Sequence, residues 1–423
     1  MTTPAPLTLD QIVQAGLCIG CGLCESLAGP DRVRIVMTPE GRERPAVHAP
    51  LDDAALRLIN AVCPGVTVEG PDPAASAADM QWDAVWGPAL RIVKGHAADP
   101  AVRFQGSAGG SLSALAIYLL ESGRVDFILH VAASTEKPMR TRQHLSFDRA
   151  QVMKATGSRY GPAAPLVDIA QLLDRGRPFA FIGKPCDIAA LRNLAKQDPR
   201  VDRLVQYMLG FFCGGASEFA KTRDLVEGFG LQEDDVALLR YRGLGNPGLT
   251  RVEAKDGRKF STTYRDLWRD EGKWMLQFRC KICADAIGEL ADIAVSDVWP
   301  NGSPSGEDEG FNGFVARTAR GRTLLEDAER AGALVLIEDR DFRYLDNVQP
   351  HQVHKKQALT ARLAAMRDAG ALVPSYTGLR LEAAAATTDA EARQANYAGM
   401  RDRLKRGDNR DPPAASVGAG ELA

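Results

Sequence analysis

The run CIGCGLC from Cys18 to Cys24, answered by Cys63 and Pro64, constrains this chain more than any other feature. Thiols at Cys18, Cys21 and Cys24 let one short loop wrap three corners of a four-iron cube, and the distant Cys63 closes the fourth. Ile19, Gly20, Gly22 and Leu23 are small or apolar enough for backbone N–H groups to turn toward the sulfurs. Structural zinc usually takes its thiolates as two separated pairs, which this triple fits poorly; zinc and a disulfide framework are the alternatives. The chain has eight cysteines, and the other four, Cys186, Cys213, Cys280 and Cys283, suffice for a second 4Fe-4S cluster.

With 423 residues, 45% hydrophobic and 25% charged, the chain is long enough for two or three domains with buried cores. Lys and Arg number 52 against 54 Asp and Glu. This balance gives no global reason to expect nucleic acid or an anionic membrane as partner. Met1 to Leu9 lacks a basic and an apolar targeting region, and the longest clean apolar stretch, Leu112 to Leu120, is too short to span a bilayer. A cytoplasmic protein is expected, in keeping with thiolate ligands that survive in a reducing compartment.

The pattern predicts an α/β core with a small N-terminal ferredoxin-like iron-sulfur module and a helical C-terminal segment. Residues 1–68 form the module, with ligand-to-iron bonds supplying much of its folding free energy, and Glu69 to Ala78 reads as a linker. Residues 82–345 alternate strands and helices, 346–406 read as helical, and 407–423 as a disordered tail. Within the core, Ser111 to Glu121 is an expected helix and Val125 to Val131 a buried strand. Asp256 and Gly257 mark a hairpin between Leu249–Ala254 and Arg258–Thr263.

Two segments repeat one arrangement. Phe179 to Gly183 leads through Cys186 into a helix from Asp187, and Leu204 to Phe212 leads through Cys213 into a helix from Ser217. Parallel neighbours would bring both cysteines to one sheet edge, where open α/β sheets bind ligands, and a helix N-terminus would favour each thiolate. A buried free cysteine is the alternative for each. Cys280 and Cys283 form a CxxC between Arg279 and Lys281, either a ligand pair or a redox dithiol.

GSAGG at Gly106 to Gly110, opening a helix, has the physics of a phosphate cradle, though a Gly-rich cap without ligand is as common. Taken in order, FQGSAGGSLSALAIYLLESG, GSRYGP from Gly157, FIGKPCDIAALR from Phe181, FFCGG from Phe211, YRGLGNPG from Tyr241, RCKIC from Arg279 and ADIAVSDVW from Ala291 resemble the coenzyme F-420 hydrogenase and dehydrogenase beta-subunit family. The similarity covers about residues 14 to 376. That family includes 7-hydroxymethyl chlorophyll a reductase and ferredoxin-dependent divinyl chlorophyllide 8-vinyl reductase.

The resemblance implies a flavoprotein carrying FAD beside one or two 4Fe-4S clusters. FAD is expected near Ser107, Gly109, Gly110, Ser111, Ser158, Tyr160, Gly183 and Lys184. Where many members read GTPCQ this chain reads GKPCD, which sets Lys184 and Asp187 beside the expected cluster and leaves the substrate open. Tyr160, Lys184 and Asp297 are candidate proton donors.

The leading expectation is a reductase that passes electrons from ferredoxin, or another low-potential carrier, through two clusters and FAD to a small organic substrate. Arg32, Arg34, Arg279 and Lys281 could attract an acidic carrier. A rival within the family exchanges hydride with coenzyme F-420 as a subunit of a hydrogenase or dehydrogenase complex. A rival of another class is a zinc-stapled binding protein without catalysis. A homo-oligomer or a complex subunit fits either enzyme reading.

Overall fold

The computed structural model describes residues 5–270 and 275–412. Its centre is an eight-stranded sheet. Across the sheet the strands run Leu334–Arg340, Arg91–Ala97, Asn312–Ala316, Ile293–Asp297, Val205–Phe211, Phe179–Gly183, Phe127–Ala133 and Thr141–Ser146. Ile293–Asp297, Val205–Phe211, Phe179–Gly183 and Phe127–Ala133 are mutually parallel, with antiparallel strands on both flanks.

Side chains alternate across a strand, and here both faces are apolar because both are covered. Phe127, Leu129, Phe179, Phe181 and Met208 pack with Ile188, Leu191 and Leu194 of the Pro185–Ala195 helix. Their neighbours Ile128, Ala180 and Leu209 pack on the opposite face with Leu115 and Leu119 of the Ser111–Glu121 helix. Phe127 and Phe179 stack with ring centroids 4.8 Å apart.

Topology sets the expected site residues along one edge. Val205–Phe211 lies parallel to Phe179–Gly183 and to Ile293–Asp297, so Cys213, Lys184 with Cys186, and Asp297 leave the sheet at the same end. Asn312 opens the next strand opposite Asp297 and pairs with Gly95 near the end of Arg91–Ala97. The Gly-rich turn folds back onto that end, where the Ala97 N–H donates to the Gly109 carbonyl at 2.8 Å. From turn to Cys186 the edge covers four strand steps, roughly 19 Å.

The first residues are not self-contained. A hairpin of Val33–Met37 and Glu43–Val47 stands with helices Leu9–Gln14, Leu23–Ala28 and Asp53–Val62. Leu23 and Val62 share a buried cluster with Leu166, Ile169 and Ile188, while Ile12, Leu17 and Val68 pack with Leu359, Leu363 and Met400. Thr67–Glu69 pairs in parallel with Ser375–Thr377. The unit expected to rely on metal for its stability therefore also buries apolar side chains against the core and the C-terminal segment.

That C-terminal segment is helical over Phe342–Val348, Pro350–Gln357, Leu359–Asp368, Leu381–Ala386 and Ala390–Arg406. Residues 407–412, within the stretch expected to be disordered, are folded back: Asp411 is 3% exposed and paired with Arg44. The rest of that expected tail, 413–423, lies outside the described residues. Among the described residues, no helix is long and apolar enough to cross a membrane.

Candidate functional site

Cys18 and Cys21 sit in the loop after Leu9–Gln14, Cys24 in the Leu23–Ala28 helix, and Cys63 caps Asp53–Val62. The loop is tight enough to demand glycine. Gly22 has φ +86°, and a Cβ there would meet Val167 Cγ1 at 2.4 Å. As expected, backbone N–H groups turn toward sulfur: Gly20 to Cys18 at 3.4 Å, Leu23 to Cys21, and Gly65 and Val66 to Cys63.

Burial, followed by repulsion from Cys63 and Cys24, pushes the Cys21 thiol well up; burial and then Cys18 push Cys63 up to about 11. Four thiols pushed up first by burial, and at Cys21, Cys24 and Cys63 also by neighbouring thiols, are a donor set suited to a cationic iron core replacing their protons. Arg44 opposes that rise at Cys18, as Arg279 does at Cys63.

The second set assembles from three parts of the chain. Cys186 lies in the first turn of Pro185–Ala195, Cys213 follows Val205–Phe211, and Cys280 and Cys283 come from the short helix Phe278–Lys281 and the residues after it. Cys213 faces Cys186, Cys280 and Cys283 electrostatically, and burial pushes its thiol up to about 11 against the pull of Lys355. The Ala216 N–H reaches Cys280 Sγ at 3.3 Å. Contrary to expectation, Cys213 does not open a helix. The chain runs without regular structure to Ser217, whose N–H donates to the Tyr160 carbonyl at 2.9 Å, and the expected helix begins at Phe219 rather than Ser217.

Among the described residues, no three His, Cys, Asp or Glu side chains converge as the shell of a single ion. Both sets are instead groups of four thiols within electrostatic reach of one another, as a cube with one ligand at each corner requires.

Charged side chains fill the space between the sets. Lys184 Nζ pairs with Asp187 Oδ2 at 2.9 Å, and Asp187 is felt by Cys21 of one set and Cys186 of the other. Burial works against the charge on Lys184, but Asp187, then Cys186, outweighs it, so the lysine holds its proton more firmly than usual. A proton so held is poorly placed for donation. Glu43, nearly fully buried, is pushed up to about 7 by burial against the pull of Arg142 and Lys184.

At the other end of the edge, Asn312 Oδ1 accepts from the N–H groups of Gly109 at 2.9 Å and Ser111 at 3.4 Å. Two donors of the expected phosphate cradle are therefore already bonded to a side chain. The Ser111 hydroxyl is buried with no partner among the described residues. Ser158 donates from its N–H and its hydroxyl to Ser107 Oγ, each at 2.9 Å, which ties the GSRYGP loop to the Gly-rich turn.

Tyr160 and Asp297 meet through Arg242, which the sequence motifs contain but did not single out. Arg242, 3% exposed, donates to Asp297 Oδ2 at 2.9 Å and Asn246 Oδ1 at 3.1 Å. Its guanidinium lies 5.1 Å from the Tyr264 ring and 4.8 Å from the Trp299 ring. Burial raises the Tyr160 phenol while Arg242 pulls it down. The Tyr160 ring packs edge-on to Tyr241 and Trp268, at 5.3 and 4.9 Å. A buried, always-charged planar group among aromatic rings suits an anionic aromatic molecule. Only its position beyond three strand ends, far apart in sequence, reveals it.

The stretch that builds this edge is what known proteins share. A model of the coenzyme F-420 hydrogenase/dehydrogenase beta subunit N-terminus matches residues 92–171, and one of its C-terminus matches 176–341. The F-420-dependent formate dehydrogenase 1 subunit beta of Methanococcus maripaludis is 27% identical over 56% of this chain and 59% of its own length. The coenzyme F-420-dependent sulfite reductase of Methanocaldococcus jannaschii is 25% identical over 80% of this chain and 50% of its own. The coenzyme F-420 hydrogenase subunit beta of Methanosarcina barkeri is 26% identical over 59% and 82%. A chain of the F-420-reducing NiFe hydrogenase complex of M. barkeri has the same fold, with TM-score 0.51 at 21% identity, covering 79% of this chain and 98% of that one.

The relatives that share this edge are named as a coenzyme F-420-dependent formate dehydrogenase subunit, a sulfite reductase and a hydrogenase subunit. The chain belongs to the coenzyme F-420 hydrogenase/dehydrogenase beta-subunit family. It spans 59% and 50% of the first two curated relatives it matches.

Proposed function

We propose that this chain is an iron-sulfur flavoprotein that exchanges hydride with the deazaflavin coenzyme F-420 and hands electrons singly to or from a partner protein. The observation that carries this is the family match over 92–341, the stretch that forms the sheet edge, with relatives named for dependence on that coenzyme. The order of the two enzyme readings is thus reversed from the sequence expectation, in which a ferredoxin-linked reductase led. The zinc-stapled binding protein does not fit the family match.

In this reading Cys18, Cys21, Cys24 and Cys63 hold one 4Fe-4S cluster in a ferredoxin-like N-terminal module, and Cys186, Cys213, Cys280 and Cys283 hold a second. FAD lies along the edge from Ser107, Gly109, Gly110 and Ser111, past Ser158 and Tyr160, toward Gly183 and Lys184. When bound, a flavin supplies the exchange between two-electron hydride and one-electron cluster chemistry. Arg242, ion-paired with Asp297 and bonded to Asn246, then offers a fixed guanidinium plane against which a ring can lie. Tyr160, with its phenol toward Arg242 and Ser158, is placed to hold or give a proton; Lys184, locked to Asp187, supplies charge.

A second reading, electron delivery from ferredoxin or another low-potential carrier to a small organic substrate, is favoured by one observation. The first thiol set lies before residue 92, outside the matched stretch, and is suited to electron entry. Either reading suits a complex subunit.

Full-length protein purified without oxygen, assayed for iron, sulfide and released flavin, should oxidise reduced coenzyme F-420 with a viologen dye as acceptor. Flavin that is reduced by ferredoxin but not by reduced coenzyme F-420 would transfer the assignment to the second reading. Colourless protein without iron would end both.

A further inference from the structure

Arg279 stands between the two thiol sets, 3% exposed. Its Nη2 donates to the carbonyl of Pro64, the residue after Cys63, at 2.8 Å, and its Nη1 donates to the carbonyl of Ile282, the residue before Cys283, at 3.2 Å. One planar group therefore ties the backbone of one set to the backbone of the other. Tyr376 braces it, with the ring 5.3 Å from the guanidinium carbon and the hydroxyl donating to the same Ile282 carbonyl at 2.6 Å.

Burying a guanidinium without an opposing charge is strongly unfavourable. Among the described residues no carboxylate pairs with Arg279, and its Nε has no hydrogen-bond partner. The groups that favour its charge are Tyr376, Cys283, Cys186 and Cys280, while on the other side the same charge acts on Cys63. In the cluster reading its counter-charge thus comes from the ligated sulfurs of both sets. Lys281, the other cation of the CxxC, faces Arg403 and Arg362 first and Cys280 of the second set after them, with no cysteine of the first set among the groups that act on it.

We propose that Arg279 is the shared counter-charge and hydrogen-bonded link of the two cluster sites, so that one guanidinium stabilises an added electron on either side. The inference rests on the reading above in which both thiol sets hold 4Fe-4S clusters. Transfer across Arg279 moves one electron from one site to the other; no bond breaks and no proton is taken up. Because the guanidinium cannot deprotonate, the stabilisation it gives is independent of pH.

The test is a dithionite titration of the anaerobically purified full chain, followed by electron paramagnetic resonance, with a Cys213→Ser variant to assign the signals. Arg279→Gln should make both midpoint potentials more negative, lowering the reduced-to-oxidised ratio at a given potential about tenfold at each site, ~59 mV for a one-electron couple. Potentials that stay put, or a shift at one site only, would overturn the shared role.

Should the Gln variant fail to accumulate, Arg279→Lys decides. A single ammonium cannot reach both carbonyls as the guanidinium fork does, so the gap between the two midpoints should change; an unchanged gap refutes the inference. Wild-type protein with about eight irons and unmoved variant potentials refutes the role of Arg279 alone. Wild-type protein without iron refutes the cluster reading and this inference with it.

Discussion

Arg44 Nε lies 2.6 Å from Asp411 Oδ2, with each side chain 2% exposed, joining the hairpin beside the first thiol set to the end of the described chain. Arg42 adds a second contact to Asp411 at 3.1 Å and one to Glu218 at 2.7 Å. Gly16, just before Cys18, packs so closely that a Cβ would meet the Asn409 carbonyl at 2.5 Å. Removing one partner of a buried pair leaves a desolvated charge. Asp411→Asn should therefore lower stability by about 3 kcal/mol in denaturant unfolding, and truncation after Gly407 should do at least as much.

Glu43 provides a pH signature. Its folded carboxyl is raised to about 7 from 4.5, first by burial. The protonated form is favoured in the fold, so its contribution is fully present below about pH 4.5 and is lost as pH rises through about 7. Glu43→Gln stays uncharged throughout. Its stability relative to wild type should rise between about pH 4.5 and about 7 and then level off, by on the order of 3 kcal/mol at most. Denaturant midpoints across that range measure it; a constant difference would contradict the assignment.

If each thiol set holds four irons, Cys213→Ser should reduce bound iron from about eight to about four per chain, and Cys21→Ser should do the same from the other set. Iron analysis with the spectrum of the reduced protein distinguishes the two losses. No change in either variant would remove that set from the cofactor assignment.

Arg242→Lys keeps the charge but loses the fork that bonds Asp297 and Asn246 together and the plane that lies against Tyr264 and Trp299. The expected result is a fall of about tenfold or more in kcat/KM for reduced coenzyme F-420, with iron content unchanged. Unaltered kinetics would show that Arg242 supports the fold alone.

Gly22→Ala must place a methyl group 2.4 Å from Val167 Cγ1 at φ +86°. The strained loop and the overlap should together destabilise the protein by about 2 kcal/mol or more, with loss of iron from the first set before the second. Iron release during mild warming provides the comparison.

Where the signal was local, the chain was legible. The helix Ser111–Glu121 and the strand Phe179–Gly183 have the expected bounds, and the hairpin around Asp256 and Gly257 pairs Thr250–Ala254 with Lys259–Thr262. Apolar periodicity and turn chemistry lie in neighbouring residues, so they can be read without the fold. Cys213 shows the limit: the helix expected from Ser217 begins at Phe219, and the Ser217 N–H bonds instead to the Tyr160 carbonyl, a partner no local pattern names. The Gly-rich turn shows it again, since Asn312 occupies its N–H groups from another strand.

The sequence by itself determined the eight thiols and their spacing, the alternation that makes an α/β core and the family resemblance; each rests on spacing along the chain. Tertiary structure alone decided that the N-terminal unit shares its apolar core with the rest, that Asp411 turns back to Arg44, that Arg242 joins Tyr160 to Asp297, and that Arg279 reaches both thiol sets. These contacts join residues distant in sequence, and what selects them is the need of each buried charge for a partner, which only the folded arrangement can supply.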